Sequence, residues 1–236
     1  MPADWKIDIL MIASLQERGY EISGKVYYRV TQVLGVIAKH GLMNWYQKVG
    51  KTRAEAIVKD RQIHGTKMHK LFELILKNEE IDLTHYSEEI KEDVEIFHEF
   101  IKNTKLKPEA LEQKLWSNKY GFAGTADYVG SYTSDVQYLV RGHKPKFTKE
   151  AFVIGDWKSS KAIYRNYILQ LTAYAFAFEE LTGKKVDGVF IVMFRYGKCK
   201  VKEMTREEIL PHYEAFKAVL ETYEWNYKLG EWKERE

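Results

Sequence analysis

From Ala151 to Ile154 every residue is apolar, and charge enters only at Asp156-Trp157-Lys158. An apolar, β-branched and aromatic run of this kind reads as a buried strand running outward to a site. Its apolar part holds a sheet and its end presents chemistry. Side chains two apart in a strand share a face, so Asp156 and Lys158 stand side by side. Upstream, Phe122 to Tyr132 reads as a second strand, on which Asp127 shares a face with Thr125 and Val129. Gly124 leaves room there for close approach. If the two strands pair, both carboxylates can bind one divalent cation, and hard oxygen ligands suit Mg²⁺ or Mn²⁺.

A helix follows. Ile163, Tyr167, Leu171, Tyr174, Phe178 and Leu181 recur at steps of four and three and form one apolar stripe. Advancing about 100° per residue puts Gln170 within about 20° of that stripe. An amide set in a buried face costs on the order of 1–3 kcal/mol if it has no partner, so Gln170 is either satisfied by the fold or reserved for a ligand. Tyr174, one turn on, lies beside it. Two carboxylates, a lysine and a glutamine-tyrosine pair are the equipment of a metal-dependent phosphodiesterase.

These residues, in this order, resemble the RecB-type branch of the PD-(D/E)xK nuclease superfamily, whose hallmarks are G-x-x-D, then D/E-x-K, then Q-x-x-x-Y. Within that branch the chain is similar to phage exonucleases and mitochondrial genome maintenance exonucleases, which share the stretch Asp156-Trp157-Lys158-Ser159-Ser160. The likeness extends to Arg29-Val30-Thr31-Gln32-Val33-Leu34, Leu42-Met43-Asn44-Trp45 and Gly65-Thr66-Lys67-Met68-His69, and covers roughly residues 26 to 200. It implies a restriction-endonuclease-like α/β fold, a central mixed sheet flanked by helices, with an N-terminal helical elaboration. It implies metal ligands at His69, Asp127, Asp156, the Trp157 backbone carbonyl and Glu112, and catalytic roles for Asp127, Asp156, Lys158, Gln170 and Tyr174. The expected activity is Mg²⁺-dependent hydrolysis of DNA from its ends, with Mn²⁺ as a substitute, in phage or cellular recombination, repair or replication. A single-strand annealing or recombination protein is the expected partner. A structure-specific endonuclease of the same fold and a non-cleaving DNA-end-binding partner are the alternatives.

Other chemistries lack their residues. Relatives with an iron-sulfur cluster use four cysteines, whereas Cys199 is the only cysteine here. Gly50-Lys51-Thr52 is no phosphate loop, because Trp45 stands where the first glycine is required. His98-Glu99 fails as a zinc-protease helix, because Lys102 replaces the second histidine. A lone cysteine also excludes a disulfide framework and fits a reducing compartment. The acidic start of the chain gives no secretory signal, and the apolar strand Val189 to Phe194 is too short to span a membrane. A soluble, cytoplasmic protein without membrane contact is expected.

The net charge of +3 says little about partners, but its distribution says more. Between Arg141 and Lys161 there are six Lys/Arg against two acids. Arg141-Gly142-His143-Lys144-Pro145-Lys146 reads as a loop between the two aspartate strands. Arg141, Lys144, Lys146 and Lys161 are accordingly the candidate contacts to DNA phosphates, the loop being expected to overhang the site.

The remaining pattern is expected to give a hairpin or edge strand over Tyr20 to Val30 and a short helix from Thr31 to about His40. A longer helix from Arg53 to about Lys77 has Gly65 as a candidate break. Another helix is capped by Ser87 and ends between Asn103 and Pro108. Two strands, Val186 to Tyr196 and Lys198 to Met204, join at Gly197. A C-terminal helix begins at Pro211, although Thr205 with Glu208 resembles a capping box. Residues 1–110 should form a mainly helical region carrying His69, packed on a nuclease core of residues 111–236 in one compact domain.

Overall fold

Tyr20 to Arg29 folds back on itself as a hairpin. In the computed structural model, which describes residues 19–37, 40–134, 144–195 and 197–233, β1 (Tyr20–Ile22) pairs antiparallel with β2 (Lys25–Arg29). Ser23 and Gly24 at the turn both have positive φ, which matches the right-handed twist of the strands they join. Helix α1 (Val30–Val33) follows and tightens into a 3₁₀ turn over Leu34–Val36. Helix α2 (His40–Val49) then occupies a segment for which only a motif, not a helix, was expected.

Helix α3 (Lys51–Leu76) runs unbroken through Gly65, contrary to the expected interruption. Glycine inside a helix costs about 1 kcal/mol relative to alanine. Here a Cβ at residue 65 would stand 3.1 Å from Ser159 Oγ, so the small residue permits α3 to approach the segment just past Lys158. Helix α4 (Glu88–Asn103) starts after Ser87, whose hydroxyl makes no cap bond. Glu88 and Glu89 in the first turn favour that start through the helix dipole. The helix passes without a turn into β3 (Thr104–Ser117), which crosses the expected boundary at residue 110. Pro108 lies within this strand, beside a bulge between Pro108 and Ala110. A proline is tolerated there because β3 pairs with one strand only among the described residues.

The sheet has seven strands and is mixed, the others being β4 (Phe122–Ser134), β5 (Ala151–Lys158), β6 (Gly188–Arg195) and β7 (Lys198–Thr205). One edge of β4 pairs antiparallel with β3 along nearly its whole length. Its other edge is divided. β2 pairs parallel with its start, through Tyr28↔Phe122 and Arg29↔Ala123. β5 pairs antiparallel with its far part, from Tyr128↔Gly155 to Tyr132↔Ala151. Gly124 to Asp127 lie between these two partners. A crossover through helix α5 (Arg165–Thr182) brings β6 parallel to β5, and β7 closes the sheet antiparallel to β6. Helix α6 (Arg206–Lys233) completes the chain, starting five residues before the expected Pro211, which it accommodates. The reciprocal half of the capping box, Glu208 Oε2 accepting from the Thr205 backbone N–H at 2.9 Å, is in place.

Helices cover both faces of the sheet. On one, Phe152, Ile154, Val189 and Ile191 meet Leu171 and Phe178 of α5 and Phe216 of α6. On the other, Val153, Trp157, Phe190 and Val192 meet Met68 and Phe72 of α3 and Phe97 of α4. Alternate residues of β5 thus go to opposite layers. Trp157 points into the aromatic cluster of the α3/α4 layer, its ring 5.3 Å from that of Phe97 and 5.4 Å from that of Phe190, so its neighbours Asp156 and Lys158 belong to the other side.

Candidate active site

The ladder between β4 and β5 ends at Tyr128↔Gly155, and the next residues outward are Asp127 and Asp156. Asp127 extends the join by other means, since its Oδ2 accepts the Trp157 backbone N–H at 2.8 Å. Both acids are buried, with 7% and 1% of their surface exposed. Two adjacent buried carboxylates are costly unless cations offset them. Lys158 supplies one, its Nζ lying 2.8 Å from Oδ1 and 2.7 Å from Oδ2 of Asp156. Only Oδ1 is aligned for a hydrogen bond, and the buried Oδ2 has no hydrogen-bond partner. His69 supplies the other, with Nδ1 at 3.4 Å from Asp127 Oδ1.

These neighbours set the protonation of the group. Burial raises the Asp156 pKa; Lys158 pulls it back and Asp127 raises it again, leaving it at about 6. Burial acts on Asp127 in the same direction, but the charge and hydrogen bond of His69, with Lys158 and the Trp157 amide, hold its carboxyl below the usual range. Burial would lower the pKa of His69, yet Asp127 and then Asp156 bring it up to about 9. Lys158 is likewise held protonated against burial by Asp156 and Asp127. The two carboxylates therefore titrate apart.

Glu112 approaches from β3. It opposes Asp127 by count between the pairs Leu111↔Tyr128 and Gln113↔Ala126, and its backbone is left-handed, with φ of 48°. Such a conformation is uncommon and costs on the order of 1–3 kcal/mol in a residue with a side chain. Partial burial of the carboxyl, and then the charge of Asp127, raise its pKa. Ligand atoms of His69, Glu112 and Asp127 all lie within 4.8 Å of one another, a group that can hold a metal ion. Carboxylate oxygens with one imidazole fit a divalent cation, and Oδ2 of Asp156, ion-paired with Lys158 but without a hydrogen bond, adds a further donor. A shallow cleft of about 500 Å³, lined by Gln62, Gly65, Thr66, His69, Glu73 and Glu112, opens beside this group. Glu73 is occupied by Lys70 and Lys77, at 3.1 and 2.6 Å, and pairs along the helix surface.

Helix α5 closes the site from its own side. Gln170 Nε2 donates to Tyr174 Oη at 3.0 Å, so the amide is satisfied by the fold one turn away. The Tyr174 ring fills the space above Gly124, where a Cβ would come within 2.3 Å of it. This is the physical reason for glycine at the start of Gly124-Thr125-Ala126-Asp127. Burial, together with Asp156 and Asp127, keeps the Tyr174 hydroxyl protonated.

The contacts of three further residues were not legible in the sequence, although Arg29 stands within one of its motifs. Tyr167, read only as part of an apolar stripe, places its ring 5.0 Å from Lys158 Nζ. Tyr20 reaches across from β1, its Oη 3.1 Å from Thr125 Oγ1. Arg29 lies over the Tyr20 ring at 4.8 Å. Tyr20 and Thr125 are 105 residues apart, and no local period connects them.

The basic residues divide differently. Arg141 lies outside the described residues. Lys144 is exposed and Lys146 is tied down, its backbone N–H donating to Glu203 at 2.6 Å and its side chain pairing with Glu208. Both precede Ala151, so they sit at the start of β5, whereas Asp156 and Lys158 stand at its end. At about 3.3 Å per residue that is the far end of the strand. The structure does not bring Lys144 or Lys146 to the carboxylates. Lys161, exposed and three residues past Lys158, is on their side.

No family model matches the chain, and no curated protein matches it. Among solved structures it is similar to SSO0001, with 13% sequence identity, 93% of this chain and 85% of that chain covered, and a TM-score of 0.38. Among the described residues no helix is long and apolar enough to cross a membrane.

Proposed function

We propose that the protein is a metal-dependent deoxyribonuclease that hydrolyses phosphodiester bonds from DNA ends. The observation that carries this reading is the meeting of Asp127 and Asp156 where their ladder ends, with Lys158 on the second carboxylate and His69 on the first. His69, Glu112, Asp127, Asp156 and the Trp157 carbonyl would hold Mg²⁺ or Mn²⁺. When bound, such an ion lowers the pKa of an attacking water and offsets charge on the scissile phosphate.

The residues of the chain then have distinct tasks. Lys158, held in its ammonium form, is suited to orient the attacking water and to offset developing negative charge. Asp127 fixes the end of β5 through the Trp157 amide and so sets the position of Lys158. Tyr174 and Gln170 form a neutral floor that holds Gly124 and the strand above it. The preference for DNA ends, and a role in recombination, repair or replication with a single-strand annealing partner, come from the family resemblance.

The test is degradation of end-labelled linear single- and double-stranded DNA, beside a covalently closed circle, in Mg²⁺, Mn²⁺ and EDTA. Wild type should consume linear DNA in either metal, spare the circle, and be inactive in EDTA, while Lys158→Ala loses turnover. Cutting of the circle would move the reading to an endonuclease. Tight DNA binding without cleavage would reject the nuclease.

A further inference from the structure

A second group of ligand atoms lies on the opposite side of α3 from His69. His64 of α3 and Asp93 of α4 have 7% and 0% of their surface exposed, and both carry a buried atom without a hydrogen-bond partner, Nε2 and Oδ2 respectively. These two atoms face each other at 3.4 Å. Glu89, one turn before Asp93, completes a set whose ligand atoms all lie within 4.8 Å of one another. We propose that His64, Glu89 and Asp93 form a second cation site, built for Zn²⁺, that clips α3 and α4 together beside Gly197.

The distances favour an ion over a direct bond. An N–H···O hydrogen bond spans about 2.7–3.2 Å, and the His64–Asp93 separation exceeds this. Tetrahedral Zn²⁺ with ligands at about 2.0–2.1 Å sets neighbouring ligand atoms about 3.3 Å apart, close to what is found. An ionised aspartate without exposed surface is costly unless it is paired or bound to a cation. The remaining atoms are already oriented, as the partners of metal ligands commonly are. Asp93 Oδ1 accepts the Gly197 backbone N–H at 3.1 Å. Glu89 is gripped by Arg61, with contacts of 2.5 and 3.1 Å, and each carboxylate oxygen retains a lone pair. Glu89 keeps 19% of its side-chain surface exposed, which leaves a path for the ion and for a water as fourth ligand. One imidazole with two carboxylates in a small, closed group suits Zn²⁺, whereas Mg²⁺ keeps several waters. His69 follows His64 on the same helix, about 7.5 Å along its axis, so the clip steadies the segment that presents His69.

The experiment uses the full chain, stripped of metal, carrying Asp127→Asn and Asp156→Asn to disable the first group. Zn²⁺ titrated by calorimetry in the presence of excess Mg²⁺ should bind at one equivalent. It should raise Tm by roughly 5–10 °C at a hundredfold excess over Kd. Co²⁺ in its place should give the intense visible bands of tetrahedral coordination. Adding His64→Gln or Glu89→Gln, each checked for folding by circular dichroism, should abolish all three signals. Zinc binding confined to wild type, or binding that survives His64→Gln, would overturn the proposal, as would absence of the cobalt bands. None of these readouts involves DNA, so they stand apart from the nuclease assay.

Discussion

The ring of Tyr174 occupies the volume that a side chain at Gly124 would need: a Cβ there would come within 2.3 Å of ring carbon Cε1 and 2.6 Å of the hydroxyl oxygen. Tyr174 is 97% buried and bonded to Gln170, so it cannot swing aside. Gly124→Ala is expected to cost about 1–3 kcal/mol in chemical denaturation, the range for overpacked cores. The same change made in a Tyr174→Leu background should cost clearly less. Additive costs in this double-mutant cycle would show that the two residues do not compete for space.

Asp156 gives the metal-free protein a definite pH dependence. Its folded pKa of about 6 lies above the ordinary 3.8, so the native state binds its proton more tightly than the unfolded chain does. The resulting stability is fully present below the unfolded value and is lost as pH rises through about 6. In EDTA, Asp156→Asn should therefore melt several degrees above wild type at about pH 8 and match it near pH 4. Added Mn²⁺ should raise the melting temperature of wild type clearly more than that of the variant. A variant that melts below wild type in EDTA at about pH 8 would contradict the assignment.

Salt dependence separates the basic residues. Lys144 and Lys146 stand at the end of β5 remote from the carboxylates, and Lys146 is paired with Glu208. Neutralising both should leave the slope of log affinity against log salt for DNA unchanged. Lys161→Ala should reduce that slope by about one. The reverse pattern in a salt titration would place DNA over the other end of the sheet.

Cys199 should be nearly inert. Burial, with the charge of Glu99 beside it, pushes its thiol up to about 12. At about pH 8 the native protein should react with iodoacetamide on the order of a thousandfold more slowly than the chain unfolded in guanidinium chloride. The native rate should rise about tenfold per pH unit above that. Equal native and unfolded rates would show the thiolate to be accessible.

Local periods made much of this molecule readable. A two-residue repeat assigned Asp156 and Lys158 to one face and Trp157 to the other, and a four-residue repeat set Gln170 beside Tyr174. Gly124 was readable as a close approach, although not what approaches it. What failed was non-local. Nothing near Phe122 signals that β2 shares an edge of β4 with β5, and so no local pattern connects Tyr20 with Thr125. The helix end expected between Asn103 and Pro108 falls at Asn103, but nothing local shows that Pro108 already lies in a strand, where one partner suffices and no N–H is needed. Gly65 suggested a helix break, but Ser159 explains it from 94 positions away. Lys144 and Lys146 lie away from the carboxylates for a reason that topology supplies. Two antiparallel strands joined by a loop meet that loop at the finish of the first and the start of the second, whereas Asp156 stands at the finish of the second.

The alternation along β5 has one more consequence. Trp157, set between Asp156 and Lys158, is wedged among Phe72, Phe97, Phe100 and Phe190, and no other register of the strand would seat an indole there. The alignment of the charged pair is thus inherited from a core that faces the other way. Shaving that core, as in Phe97→Leu, would loosen the pair without touching it, and variation at such hidden positions is a route by which reactivity at this site can drift while its polar residues stay the same.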